Sequence, residues 1–187
     1  MVAESSRRPR WTLEEYLEME RGSPIKHEFV GGYVYAMSGS SQRHSVLGLK
    51  IARLLDEHLD GSSCRAFNSD PRVRLPSGAD DHLYPDASVS CDERDLADDD
   101  AISIRYPRLV VEVLSRSTEE YDRGGKFLLY QGCPTLEEYV LIATREVHIE
   151  VHARGEDGEW STRVHGPDSQ VVLASVVLTF PISRLYK

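Results

Sequence analysis

One acid stands where the sequence otherwise admits only apolar side chains. Glu112 lies inside Leu109-Val-Val-Glu112-Val-Leu114, the most apolar strand-like run of the chain. A carboxylate there needs a cation, a proton or a hydrogen-bond donor facing it. Strand side chains alternate, so Glu112 shares a face with Val110 and Leu114. Two readings follow on local grounds: a buried glutamate paired with an arginine, or one of the perturbed carboxylates that cluster at functional sites. Asp86, in Tyr84-Pro85-Asp86-Ala-Ser-Val-Ser90, falls on one strand face with Ser88 and Ser90. Alone, an aspartate after proline reads as a turn or strand-start residue; its weight comes from Glu112. Lys126 belongs to the helix expected directly after the Glu112 strand, with Asp122, Lys126 and Tyr130 at i, i+4 and i+8 on one face. Alone, it reads as half of a surface Asp–Lys pair worth only ~0.3–0.5 kcal/mol. A rival group, His148-Ile-Glu150-Val-His152, sets His, Glu and His on one strand face. That pattern suits a transition metal, although the solvated face of an antiparallel strand is the favoured reading.

The elements that must hold these residues are legible in outline. Thr12-Leu-Glu-Glu15 has the capping-box pattern and predicts a short helix to about Arg21, stopped by Gly22-Ser-Pro24. His27 to Ser38 predicts two strands hinged at Gly31-Gly32. A long helix should run from Ser41 to about Asp60 with the stripe Leu47, Ile51, Leu54, Leu55 and Leu59. Two extended pieces flank Asp70-Pro71, and Tyr84 to Cys91 is a further strand. Residues 92–100 read as a solvated acidic loop. Arg108 to Ser115 is apolar on both faces, as in the centre of a buried sheet. Ser117-Thr-Glu-Glu120 predicts a second capping box opening a helix to about Gln131, stopped by Gly132 and Pro134. Glu138 to Ala143 is another buried strand, 146–153 and 159–165 alternate like an antiparallel pair, and 171–180 is a last apolar strand. The order predicts an α/β fold, a mixed sheet flanked by helices. A loose arm over residues 1–10 should precede one domain over 11–187.

Composition narrows the function classes. The chain has 187 residues, enough for one ordinary domain with a sizeable core. No run approaches the ~18 apolar residues of a membrane span, and no apolar region follows the early arginines as a secretory signal requires. Cys64, Cys91 and Cys133 are odd in number and far apart, without a C-x-x-C. That predicts reduced thiols in a cytoplasm rather than a disulfide framework or a zinc knuckle. The net charge of −9 opposes indiscriminate phosphate binding. It is uneven, however: residues 92–100 carry net −5, leaving −4 for the rest. There is no phosphate-binding glycine loop, no G-x-S-x-G and no cysteine beside a suitable base.

Taken in order, the informative segments resemble the PD-(D/E)XK nuclease superfamily, and within it the small restriction endonucleases often called the Uma type. The resemblance runs from about Trp11 to Ala143. It is carried by Leu13-Glu-Glu-Tyr16; His27-Glu28-Phe-Val-Gly-Gly-Tyr-Val-Tyr-Ala-Met-Ser38; His44 opening the long helix; Tyr84-Pro-Asp86; Pro107-Arg-Leu-Val-Val-Glu112-Val-Leu-Ser115; Asp122, Lys126 and Tyr130; and Glu138-Tyr-Val-Leu-Ile142. The resemblance implies a restriction-endonuclease-like core in which Asp86 and Glu112 hold one or two Mg²⁺ ions, with Mn²⁺ able to substitute. Carboxylate oxygens suit that hard ion. It implies Glu28 as an outer member of the cluster and His44 as a contact to the site or a phosphate, the competing reading being a capping or core histidine. The superfamily's lysine would stand two residues after Glu112, where this chain has Leu114, and the resemblance suggests that Lys126 takes its place. Acids usual around the Gly31-Gly32 turn are here Gly31 and Tyr33.

The implied activity is metal-dependent endonucleolytic hydrolysis of DNA, leaving a 5′-phosphate. A homodimer is expected, since cutting a duplex takes two scissions and symmetric pairs are the commonest oligomers, with 146–180 available as an interface. Two alternatives stay open: a degenerate nuclease fold acting as a non-catalytic nucleic-acid- or protein-binding module, and a metal-dependent enzyme acting on another phosphate ester such as a nucleotide.

Overall fold

The computed structural model describes residues 10–37, 39–76 and 80–187. Apart from Arg10, the expected N-terminal arm lies outside the described residues, as does Ser38. Helix α1 (Leu13–Gly22) opens on the expected capping box: the Thr12 hydroxyl accepts from Glu15 N, and the Glu15 carboxylate accepts from Thr12 N at 2.7 Å. Strands β1 (His27–Val30) and β2 (Tyr33–Ala36) form the hairpin, and its turn residues Gly31 and Gly32 both have positive φ, at 58° and 83°. A turn with that twist at both central positions is accessible to glycine with little strain. Helix α2 (Gln42–Leu59) is capped by Ser41 and buries all five residues of the expected stripe. Short strands β3 (Arg65–Phe67), β4 (Arg72–Arg74), β5 (His82–Leu83) and β6 (Ala87–Ser90) follow. Helix α3 (Glu93–Leu96) and strand β7 (Ser103–Ile104) lead to β8 (Pro107–Leu114), the long central strand. Helix α4 (Glu119–Tyr121), a π-helical turn over Asp122–Lys126 and α5 (Phe127–Gln131) form one broken helical segment. Strands β9 (Glu138–Ala143), β10 (Ile149–Arg154), β11 (Trp160–His165), β12 (Gln170–Leu173) and β13 (Leu178–Pro181) and helix α6 (Ser183–Tyr186) complete the chain.

The largest sheet has six strands in the order β11-β10-β9-β8-β6-β3, parallel between β8 and β9 and antiparallel elsewhere. Its β8 divides its side chains between two cores. Leu109, Val111 and Val113 join α2 and the β12–β13 hairpin. Val110 and Leu114 join Tyr130, Tyr139 and Leu141 with Val73 and Leu83 of a second sheet, ordered β2-β1-β5-β4-β7. Both faces are therefore covered, which is why β8 could afford no alternation with polar residues. Each fully buried Leu, Val or Ile side chain contributes roughly 1.5–3 kcal/mol. Glu112 sits on the second face, as its alternation requires.

Several local expectations need correction. Cys64 and Cys91 form a disulfide, with Cys133 free and buried. They are distant in sequence, but the β3–β6 register that pairs Arg65 with Ser90 makes them the next cross-strand pair. The acidic segment is not all loop: Asp92 caps α3, and Asp95 turns inward to accept from the Ser90 hydroxyl and from the backbone N–H groups of Arg105 and Tyr106. The second capping box does not form; Ser115 instead accepts from Thr118 N, and the helix begins two residues later than Ser117. The segment 171–180 is a hairpin rather than one strand.

Candidate active site

Glu112 is 3% exposed at the floor of a cavity of about 670 Å³. Its neighbours arrive from four directions. From the residue just before β6, Asp86 adjoins Ala87, whose register partner is Val111, and it lies 3.9 Å from where a Cβ at Gly48 of α2 would stand. Asp86 Oδ2 accepts from Val113 N at 2.7 Å, so the aspartate is fixed to the Glu112 strand by its backbone. From β1, Glu28 is buried and its Oε1 accepts from Tyr84 N at 3.2 Å. From the first turn of α2, His44 brings Nε2 to 3.4 Å from Asp86 Oδ2. The Ser41 cap engages the backbone N–H of His44, so its ring is left to face the site.

From the π-helical turn, Lys126 is 4% exposed and lies between two carboxylates, 2.8 Å from Glu28 Oε1 and 2.9 Å from Glu112 Oε1. The second contact is an ion pair without hydrogen-bond geometry. A surface Asp–Lys pair is thereby excluded: Lys126 is buried and its close partners are the two glutamates. Asp122 is buried in the same cavity wall. Asp86, Glu112, Lys126, Glu28 and His44 are thus brought together in one pocket.

Four carboxylates around one lysine give the site an excess of negative charge. Burial pushes the Glu112 carboxyl well above the usual range; Lys126 opposes the shift, and Asp122, Asp86 and Glu28 add to it. Burial also raises Asp86, against His44, the Val113 N–H and Lys126. Asp122 is raised in the same way. Burial works against the Lys126 ammonium, but Glu112, Glu28 and Asp122 outweigh it, and Lys126 is held firmly protonated. A site in this state favours an added cation. The carboxylate oxygens of Asp86 and Glu112 are of the hard, anionic type that could hold Mg²⁺. Among the described residues, no group of three or more His, Cys, Asp or Glu side chains forms a chelating cage. Mg²⁺ is ordinarily held by one or two carboxylates, with water and substrate phosphate completing its shell.

The His148, Glu150 and His152 group is committed elsewhere. Glu150 takes the Arg123 guanidinium and, at 2.8 Å, His148 Nε2, while His152 Nδ1 pairs with the Thr162 hydroxyl and its ring packs on Phe127. It is neither an open metal site nor a solvated face, but the anchor of the broken helix. Sequence reasoning missed the cavity's lip. Tyr35, Tyr121, Arg116 and Arg145 line it, and their signal was weak because each is an ordinary surface residue in its own segment.

The family model described as "Uma2: Putative restriction endonuclease" matches residues 13–183. The uncharacterized protein slr1290 of Synechocystis sp. is 40% identical over 179 residues, covering 96% of this chain and 93% of that one. The uncharacterized protein sll1609 of the same organism is 30% identical over 161 residues, covering 86% and 90%. A solved structure, described as a putative nuclease belonging to DUF820 from Anabaena variabilis, superposes with a TM-score of 0.76 at 20% identity, covering 94% of this chain and 97% of that one.

Proposed function

This chain belongs to the Uma2 family, with the restriction-endonuclease-like α/β fold, and we propose from that premise that it is a metal-dependent endonuclease that hydrolyses phosphodiester bonds in DNA. The observation that carries the reading is Lys126, buried against Glu28 and Glu112 in a cavity that also holds Asp86. Phosphodiester hydrolysis needs an activated water and stabilisation of charge at phosphorus and at the leaving oxygen. Mg²⁺ bound to Asp86 and Glu112 would polarise the phosphate and lower the pKa of a bound water. Lys126 remains protonated, so its role is electrostatic: it orients the attacking water and offsets negative charge growing on the phosphoryl oxygens. Glu28 and Glu112 hold the ammonium in place. His44 holds Asp86 in orientation and can reach a phosphate oxygen. The lysine occupies the role that Leu114 leaves vacant; Leu114 is buried in the apolar core and faces no cavity.

A homodimer is part of the proposal, and edge strand β11, with Val164 61% exposed, is the surface that supports it. A second reading, a non-catalytic binding module, is favoured by the −9 charge and by the lack, among the described residues, of a three-ligand cage. The discriminating experiment is incubation of labelled DNA with the protein in Mg²⁺, in Mn²⁺ and in chelator. Cleavage in either metal that stops in chelator, giving ends ligatable without a kinase, is the expected result. Binding without cleavage in both metals supports the module instead.

A further inference from the structure

We propose that the cavity accepts an unpaired nucleic-acid strand, its bases stacking on Tyr35 and Tyr121 and its flanking phosphates meeting Arg116 and Arg145; this rests on the nuclease reading and names its substrate class. The reacting groups lie at the bottom of a concavity, not on an exposed ridge. Its volume of about 670 Å³ is that of a pocket for a drug-sized ligand, roughly 300–1,000 Å³. One or two nucleotides fit such a space. In an intact duplex the phosphates run along a stacked, rigid surface and cannot be lowered one at a time into a pocket.

The lip has the chemistry of strand binding. Tyr35 is 44% exposed on β2 and Tyr121 38% exposed at the end of α4, and both line the cavity. Exposed aromatic rings lining a nucleic-acid site serve as base-stacking platforms, tolerant of sequence. Gly125 lies under the Tyr121 ring, where a Cβ would come within 3.0 Å, so the glycine fixes how close the ring sits to the turn.

The cations point the same way. Lys126 is fully engaged by carboxylates, whereas exposed Arg116 and Arg145 have no salt-bridge partner among the described residues. They are free to meet phosphates on either side of the one being attacked. The N-terminus of α2, an 18-residue helix with no acid in its first turn, opens onto the same cavity through Ser41 and His44 and favours a phosphate there. Two local cations and a helix end suit a short stretch of strand. They do not supply the long basic face that holds a duplex by counterion release, and the net charge of −9 opposes one.

The test is fluorescence anisotropy in chelator with labelled (dT)20 and a 20-base-pair duplex, followed by cleavage of both in Mg²⁺. The expected result is binding of (dT)20 at least about 10-fold tighter than duplex. Tyr35→Ala and Tyr121→Ala should each weaken (dT)20 binding by about 10-fold at unchanged melting temperature, and the Tyr→Phe variants should retain it. Arg116→Ala or Arg145→Ala should lower the salt slope of binding by about one phosphate contact. Duplex binding as tight as (dT)20 binding overturns the inference, as does unchanged affinity in both alanine variants. Cleavage of duplex at equal rates by wild type and tyrosine variants leaves the nuclease reading standing and removes the strand site. Preferential (dT)20 binding with no cleavage of either substrate does the reverse.

Discussion

Lys126 carries more of the site than its sequence context suggests. Removing one partner of a buried ion pair leaves charge without compensation and costs about 3–5 kcal/mol. Lys126→Met should therefore lower the unfolding free energy by up to about that amount, measured by urea denaturation, and by less as the pH is lowered and the carboxylates it leaves behind take up protons. A truly surface pair would give no measurable change. Asp86 makes the opposite prediction. Burial raises its folded pKa above the unfolded value, so its favourable contribution is complete below the unfolded pKa and is lost as pH rises through the folded one. Asp86→Asn keeps an acceptor for Val113 N and removes that loss. In chelator, the melting temperature of the variant minus that of wild type should grow with pH across that window; a pH-independent difference would show that Asp86 is not strained in the folded state. Glu112 was legible because a lone acid in Leu-Val-Val-Glu-Val-Leu has few structural excuses. The partnership of Lys126 with Glu28 was not, because it joins residues 98 positions apart and no periodicity reports that.

At the scale of elements, the π-helical turn decides where Lys126 points. The segment 117–131 was legible as a helix, but the wide turn over Asp122–Lys126 was signalled only by Gly124-Gly125, two poor helix formers at its centre. Arg123 ties this turn to β10 through Glu150. The two glycines differ in what surrounds them: nothing lies within 4 Å of a Cβ at Gly124, whereas one at Gly125 meets the Tyr121 ring at 3.0 Å. Gly124→Ala should raise stability by roughly 0.5–1 kcal/mol, while Gly125→Ala should gain less and displace Tyr121. Thermal melts compare them, and equal gains would mean that the ring yields freely. Strand pairing hid the disulfide in the same way as it hid the Glu28 contact, since only the β3–β6 register brings Cys64 to Cys91. Thiol titration in denaturant without reductant should count one thiol per chain, Cys133, and three after reduction; three in both would contradict the pairing.

Over the whole molecule, the order of elements was enough to indicate an α/β fold with helices flanking a mixed sheet, because buried strands and striped helices announce themselves locally. The division into two main sheets and a terminal hairpin was not, since it depends on which strands pair across long separations. That division makes the site: β1 of one sheet brings Glu28, β8 of the other brings Glu112, and the broken helix drops Lys126 between them. A homodimer through the β11 edge should give twice the chain mass of 21.1 kDa in light scattering; the monomer mass at assay concentration would remove it. The central claim is that Lys126 and Glu112 serve one metal-dependent cleavage reaction. Its most direct test is the rate of DNA cleavage in Mg²⁺, on linear (dT)20 and on supercoiled plasmid, by wild type, Glu112→Gln and Lys126→Met, each below its own melting temperature. The account predicts cleavage by wild type and a loss of at least about 10²-fold in both variants, the scale of a lost electrostatic group. Equal rates in wild type and Lys126→Met, or a wild type that cleaves neither substrate, would contradict it.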